Sequence, residues 1–229
     1  MNLFYGALKG TPDKWLDLRA LAQLLVPEDE IKVVHYFTAR VRSRPGQDDA
    51  AQLQSVYLRA VRYAGGVTIH EGSIVHRSRR KSLDDGAAAR GELFTPSFRP
   101  RFVFDLMWRD SIRRRGERRT GMAIVVVEEE KRTDVNIAVR IVEDAARGLV
   151  DKVLLISNDS DLSEAVLAAR RFGVPVGIVN PHRTRTSRQL VSVSSFEIVL
   201  RRSALARCQF PETVRGPDGK SVTRPGQWR

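Results

Sequence analysis

With one cysteine, Cys208, the 229-residue chain cannot build an intrachain disulfide framework. Its four histidines, at 35, 70, 76 and 182, are scattered; two share a strand region, and none forms a ligand pattern or zinc-finger spacing. No Walker motif or dinucleotide fingerprint is present, and no internal repeat recurs. The longest apolar runs are far too short to cross a bilayer, and no charged-then-apolar segment opens the sequence, so a cytoplasmic protein is expected. Acid is outnumbered by base: net charge is +12 and the pI near 10.6, which favours a polyanionic partner. The excess is concentrated, with thirteen Lys or Arg against six Asp or Glu between Arg77 and Arg119. A hydrophobic content of 42% suffices for a sizeable core and one or two domains.

The organising stretch is Val153-Leu154-Leu155-Ile156-Ser157-Asn158-Asp159-Ser160-Asp161-Leu162. Its apolar run suits a strand buried on both faces of a parallel sheet. A helix follows, with Asp161 as expected N-cap, Glu164 three residues on and Gly173 in the left-handed position past its end. Val174 to Val179 reads as the next strand. This βαβ unit carries acids at the carboxyl end of its first strand, the edge where open α/β sheets bind ligands. Upstream, Ala123 to Val127 reads as another buried strand ending in Glu128, Glu129 and Glu130. A helix over 133–148 then presents Val135, Ala138, Val139, Val142, Ala145 and Ala146 as one apolar face. Two strands thus end in carboxylates. At about 5 Å and an effective dielectric near 20, two such charges repel by about 3 kcal/mol. A converging set must take up protons or bind a cation, and oxygen donors without His or Cys favour Mg²⁺ or Mn²⁺ over zinc. The bland alternative is that Asp161 caps a helix and Asp159 shapes a turn.

Earlier in the chain a short helix is expected over Asn2–Leu8 and a second from Pro12 through Leu25. A strand over Ile31–Val41, a helix from Asp48 or Asp49 through Tyr63 closed by Gly65-Gly66, and a strand over Val67–Val75 follow. Residues 77–121 interrupt the alternation with Arg, Gly, Ser and Pro, and read as a basic, partly disordered insertion with an apolar helix near 102–108. That insertion is either a phosphate-contacting arm, through Arg113, Arg114 and Arg115 with Phe98, Phe102 or Trp108 for base stacking, or a solvated loop. Alternation resumes to Val199, and 200–229 reads as an extended tail lying on the body.

The run Glu130-Lys131-Arg132-Thr133-Asp134-Val135-Asn136-Ile137-Ala138, then Asp144-Ala145-Ala146, then Ser157-Asn158-Asp159-Ser160-Asp161-Leu162 resembles the NYN domain family, a branch of the PIN-like nucleases. Asn2-Leu3-Phe4-Tyr5-Gly6, Lys14-Trp15-Leu16-Asp17-Leu18 and Tyr36-Phe37-Thr38-Ala39-Arg40-Val41 are similar to the family's amino-terminal half, and the tail from Gln209 to Trp228 resembles its carboxyl-terminal ending. The resemblance implies a three-layer Rossmann-like (PIN-like) parallel sheet flanked by helices. It also implies one domain over 1–199 that includes the insertion, with 200–229 as tail. By the same resemblance, RNA phosphodiesters are hydrolysed with Mg²⁺ or Mn²⁺ held by Asp134, Asp159 and Asp161, and Glu130 is an outer ligand. Asn2 orients a carboxylate or the attacking water, and Lys131 and Arg132 contact phosphates.

One departure stands out. Family members open on a hydrophobic strand ending in a metal-binding aspartate just before the Asn-Leu-Tyr segment, and here the sequence opens at Met1-Asn2. The expected sheet therefore lacks its usual first central strand, and the reading frame is expected to continue upstream. The alternative to a nuclease is a catalytically impaired RNA-binding or regulatory adaptor on the same fold. The expected partners are RNA, single-stranded or structured, and a second copy of the chain, with no membrane.

Overall fold

A computed structural model describes residues 3–41, 48–84, 120–131, 133–182 and 184–228, and within them the side chains of all but Tyr5, Asp48 and 73–131. The chain divides into two compact units, one of Met1–Ser73 with Lys131–Arg229 and one of Ile74–Glu130.

In the first unit, a single π-type turn over Phe4–Leu8 precedes helix α1, Leu18–Leu25. The helix begins at Leu18 and not at Pro12, because Asp17 is its cap: one carboxylate oxygen accepts from the backbone N–H of both Arg19 and Ala20 at 3.0 Å. Residues 11–16 are instead held in turns, with the Thr11 hydroxyl donating to the Leu8 carbonyl at 2.9 Å. Strand β1, Val34–Ala39, is shorter than expected and runs parallel to β2, Val67–Asp84, from Val34 opposite Val67 to Ala39 opposite Gly72. Helix α2, Asp48–Ala64, joins them and ends at Gly65, whose φ of +74° needs a residue without Cβ.

The carboxyl-terminal part is built on strands β4 (Val153–Ile156), β5 (Val176–Asn180) and β6 (Phe196–Val199), all parallel and in that spatial order. Helices α3 (Thr133–Ala146), α4 (Ser163–Arg171) and α5 (Arg188–Val193) accompany them. Gly177 must be glycine, since a Cβ there would come within 2.1 Å of the Phe196 ring. The core gathers Ile141, Leu155, Leu162, Val166, Val176, Ile178 and Leu190. The architecture is mixed α/β with parallel sheets flanked by helices, as expected. Among the described residues the strands form separate ladders, with β4 pairing to β5 and β1 to β2.

The packed face of α3 differs from the expected one. Ile141 and Ala145 are buried, with Ile137, Ala138 and Val142 packed beside them, whereas Val135 is 65% and Val139 58% exposed. The expected stripe mixed two helix faces: Ile137 and Ile141, one turn apart, define the inward side.

Residues 200–228 do lie on the body, but as ordered elements and not as an extended tail. They form α6 (Arg202–Arg207), an antiparallel pair β7 (Thr213–Arg215) and β8 (Ser221–Thr223), and a 3-10 turn at Gly226–Trp228. Phe210, Val214, Val222 and Trp228 pack with Trp15, Tyr57, Leu58 and Val61 in one buried cluster.

In the second unit, β2 continues past Val75 to Asp84 and neighbours β3, Thr120–Lys131. The segment expected as an insertion over 77–121 is strand at both ends, where β2 reaches Asp84 and β3 starts at Thr120, because backbone pairing between neighbouring strands does not need an apolar pattern; residues 85–119 lie outside the described residues. Glu128, Glu129 and Glu130 lie within β3, not beyond its end. The apolar segment near 102–108 and Arg113, Arg114 and Arg115 lie outside the described residues.

Candidate functional site

Strand β4 delivers the chain to its carboxyl edge at Ser157, which is buried and whose hydroxyl oxygen accepts the backbone N–H of Asp159 at 3.2 Å. Asp159 then caps a 3-10 turn over Ser160–Leu162 by accepting the N–H of Asp161 at 3.1 Å. The expected cap, Asp161, is not the capping residue; it is exposed within the turn, and α4 starts from Leu162 with no side-chain cap. Leu162, 1% exposed, drives the turn into the core, and Ser163 donates its hydroxyl to the Ser160 carbonyl at 2.7 Å. The acidic loop is thereby pinned at both ends while its two carboxylates stay at the surface or half-buried.

The neighbouring strand β5 ends at Asn180, whose side chain closes the next loop on itself. It accepts the N–H of His182 and donates to the Thr184 carbonyl, both at 2.8 Å. Asn158 joins the two loops. Its side-chain oxygen accepts the N–H of Ser187 at 2.7 Å, and its amide nitrogen donates to the Arg185 carbonyl at 3.4 Å. A second tie runs from Gln189 of α5 to the Ser163 hydroxyl at 2.9 Å. Arg185 and Arg188 are exposed on this second loop and the first position of α5. The turn Phe4–Leu8 lies against the same place: a Cβ on Gly6 would meet the Pro181 carbonyl at 2.9 Å and the His182 ring at 3.0 Å.

Asp134 stands in the first turn of α3 and is exposed. A short link, residues 147–152, joins the end of α3 to the start of β4. The 3-10 turn packs on α3. Among the described residues no three His, Cys, Asp or Glu side chains converge as a metal-holding group, Asp134, Asp159 and Asp161 included. The donor chemistry is oxygen only, which suits a hard divalent cation. Asn2, Arg132 and the side chains of Glu130 and Lys131 lie outside the described residues.

A constellation the sequence did not disclose sits between β1, β2 and α3. The Nδ1 of His35 lies 2.9 Å from Nε2 of His70, and Nε2 of His35 lies 3.2 Å from a carboxylate oxygen of the buried Asp144. His70 stacks on Phe37 with ring centroids 4.5 Å apart. Arg140 adds a cation, 3.1 Å from Glu143 and 3.7 Å from Asp144. Burial lowers the pKa of both histidines, with Asp144 acting in the opposite direction. Only the parallel register that places Phe37 opposite His70 could have announced it.

Comparison with known proteins adds three findings. Residues 106–200 match the NYN domain family profile, a span containing α3, the acidic loop and the Asn158 tie. The amino-terminal and tail segments that resemble the family fall outside that span. The chain is 26% identical to 6-hydroxy-3-succinoylpyridine 3-monooxygenase HspA of Pseudomonas putida, over 99% of this chain and 72% of that protein. A solved structure of a Vibrio parahaemolyticus protein of unknown function aligns with 76% of this chain and 96% of its own, at 18% identity and a TM-score of 0.28, too low to carry an argument.

Proposed function

We propose, taking the NYN-domain match over residues 106–200 as premise, that the chain hydrolyses RNA phosphodiester bonds at the carboxyl edge of β4. The observation that carries this reading is the acidic loop itself, in which Ser157 and Leu162 fix Asp159 and Asp161 at an edge open to a ligand. Asp134, Asp159 and Asp161 would hold Mg²⁺ or Mn²⁺, with Glu130 as outer ligand. Such an ion supplies charge neutralisation at the scissile phosphate and a more acidic bound water. The chain's own residues do the remaining work. The backbone N–H of Asp161 holds one carboxylate oxygen of Asp159 in the turn. Lys131, Arg132 and the Arg113–Arg115 run would contact substrate phosphates, and Asn2 would orient a carboxylate or water. Neither Ser157 nor Ser160 is placed by the sequence beside a His or Lys base that could activate it, so water would be the attacking group.

A non-catalytic RNA-binding adaptor is the second reading. It would keep the same edge and its exposed arginines, Arg185 and Arg188, for gripping a polyanion without cleaving it. The monooxygenase activity of the Pseudomonas putida relative is not carried over, because 26% identity speaks to common descent and not to a shared substrate. RNA is the expected partner, a homodimer belongs to the same reading, and no helix among the described residues is long and apolar enough to cross a membrane.

The test is incubation of the chain with single-stranded RNA in Mn²⁺ and in EDTA. Cleavage in Mn²⁺ alone, lost in Asp159→Asn, supports the nuclease. Binding without cleavage supports the adaptor, and neither binding nor cleavage refutes both. Melting with Mn²⁺ provides a readout separate from activity. At a hundred times its dissociation constant the ion should stabilise the fold by about 2.7 kcal/mol. Asp159→Asn should lose most of that gain.

A further inference from the structure

We infer that residues 184–188, leading into α5, are a phosphate clamp for the substrate strand, acting through Arg185 and Arg188, and that Asn158 is the positioning residue that holds them beside the carboxylates. The inference rests on the RNA-cleaving reading of this edge and adds the part that grips the polyanion.

Acid alone would repel RNA from this edge, so a working site needs cations whose position is fixed relative to Asp159 and Asp161. The chain supplies Arg185 and Arg188, both exposed, where the segment after β5 leads into α5. A loop of this kind orders its side chains only if its backbone is held. Asn158 does this from inside the acidic loop, one residue before Asp159, by capturing one backbone donor and one backbone acceptor of the basic loop. Asn180 shapes the loop base, and Thr186 hydrogen-bonds Glu197 within β6, so the loop is tied to the end of β5 and to β6 as well as to Asn158. Gly6 lets the Phe4–Leu8 turn rest on Pro181 and His182, just ahead of these residues. The outcome is two arginines carried on a fixed backbone next to two aspartates. That pairing of charges suits a phosphodiester strand, whose phosphates bind guanidinium while one scissile linkage meets the acidic group.

The test uses the full chain and a single-stranded RNA oligonucleotide. Affinity is measured in EDTA over a salt series, so that binding is read without turnover. Replacing both arginines, Arg185→Ala with Arg188→Ala, should flatten the salt slope by up to about 1.4 log units per log unit of salt, at about 0.7 for each phosphate no longer neutralised on a single strand. Asn158→Ala should weaken binding several-fold and raise KM while leaving kcat unchanged, because it frees the clamp without touching the carboxylates. An unaltered slope in the double arginine variant, with wild-type cleavage intact, overturns the clamp and leaves the nuclease reading standing. A fall in kcat at constant KM in Asn158→Ala shows that Asn158 serves the acidic loop alone and also overturns it. If the wild-type chain binds no RNA, the clamp falls together with the nuclease reading.

Discussion

The protons of His35 and His70 are fixed by what each ring faces. Asp144 accepts a hydrogen bond from Nε2 of His35, so that nitrogen carries a hydrogen and Nδ1 must accept. His70 therefore donates from Nε2, and its Nδ1 is the position left for an added proton. Nitrogen NMR at pH 8 should show both rings as the Nε2–H tautomer; an Nδ1–H signal from His35 would contradict the chain of donors. Because burial lowers both pKa values in the fold, the unfolded chain binds protons first as pH falls. The stability from these two rings is therefore complete above the ordinary histidine value near 6.5 and is lost as pH drops toward the lowered folded values. The charged groups facing the pair are Asp144 and Arg140 on α3, the latter held by Glu143. Melting temperature should fall between pH 7 and pH 5, and His70→Asn should flatten that fall. None of this was legible in the sequence, where 35 positions separate the rings and a still longer stretch precedes Asp144. By contrast Asp159, Asp161 and Asn158 lie in one short run, and their shared edge could be read directly from the strand before them.

Among the elements, α3 shows how a periodic pattern can be read in the wrong phase. Valines at 135 and 139 made a plausible stripe with Val142, yet the helix turns Ile141 into the core and leaves those two valines to solvent. Ile141→Ala should cost about 2–5 kcal/mol, as other buried large-to-small changes do. Val139→Ala should stay within about 0.5 kcal/mol, the range of exposed substitutions. Urea denaturation of the two variants checks the assignment, and equal losses would restore the other face. Boundaries failed for a related local reason. Pro12 and Asp161 are both good helix openers by type, but Asp17 and Asp159 have the backbone donors within reach. A capping preference states which residues can cap, and chain geometry decides among neighbours that all qualify.

At the scale of the whole molecule, the first unit is stitched by its sequence extremes. Trp15 donates its indole N–H to the Pro211 carbonyl at 2.8 Å, Phe210 donates its backbone N–H to the Trp15 carbonyl at 2.9 Å, and the Asp17 backbone N–H donates to the Cys208 carbonyl at 2.7 Å. Trp15 is completely buried against Phe210, Trp228 and Tyr57. Trp15→Ala should destabilise by about 3–5 kcal/mol, which a chemical denaturation curve will register. Phe210 and Trp228 could be picked out as apolar from the sequence but not joined to Trp15, because Gly, Pro and short intervals made 200–229 look aperiodic. The stitching also imposes an order in time. Trp15 and Pro211 are 196 positions apart, and at 5–20 residues per second a ribosome needs about 10 to 40 s to make the second after the first. Throughout that interval the nascent chain carries a tryptophan and its leucine neighbours without their native cover. Stalled chains ending before Pro211 should accordingly recruit holding chaperones and yield to protease at the Trp15 segment, and chains released past Trp228 should not.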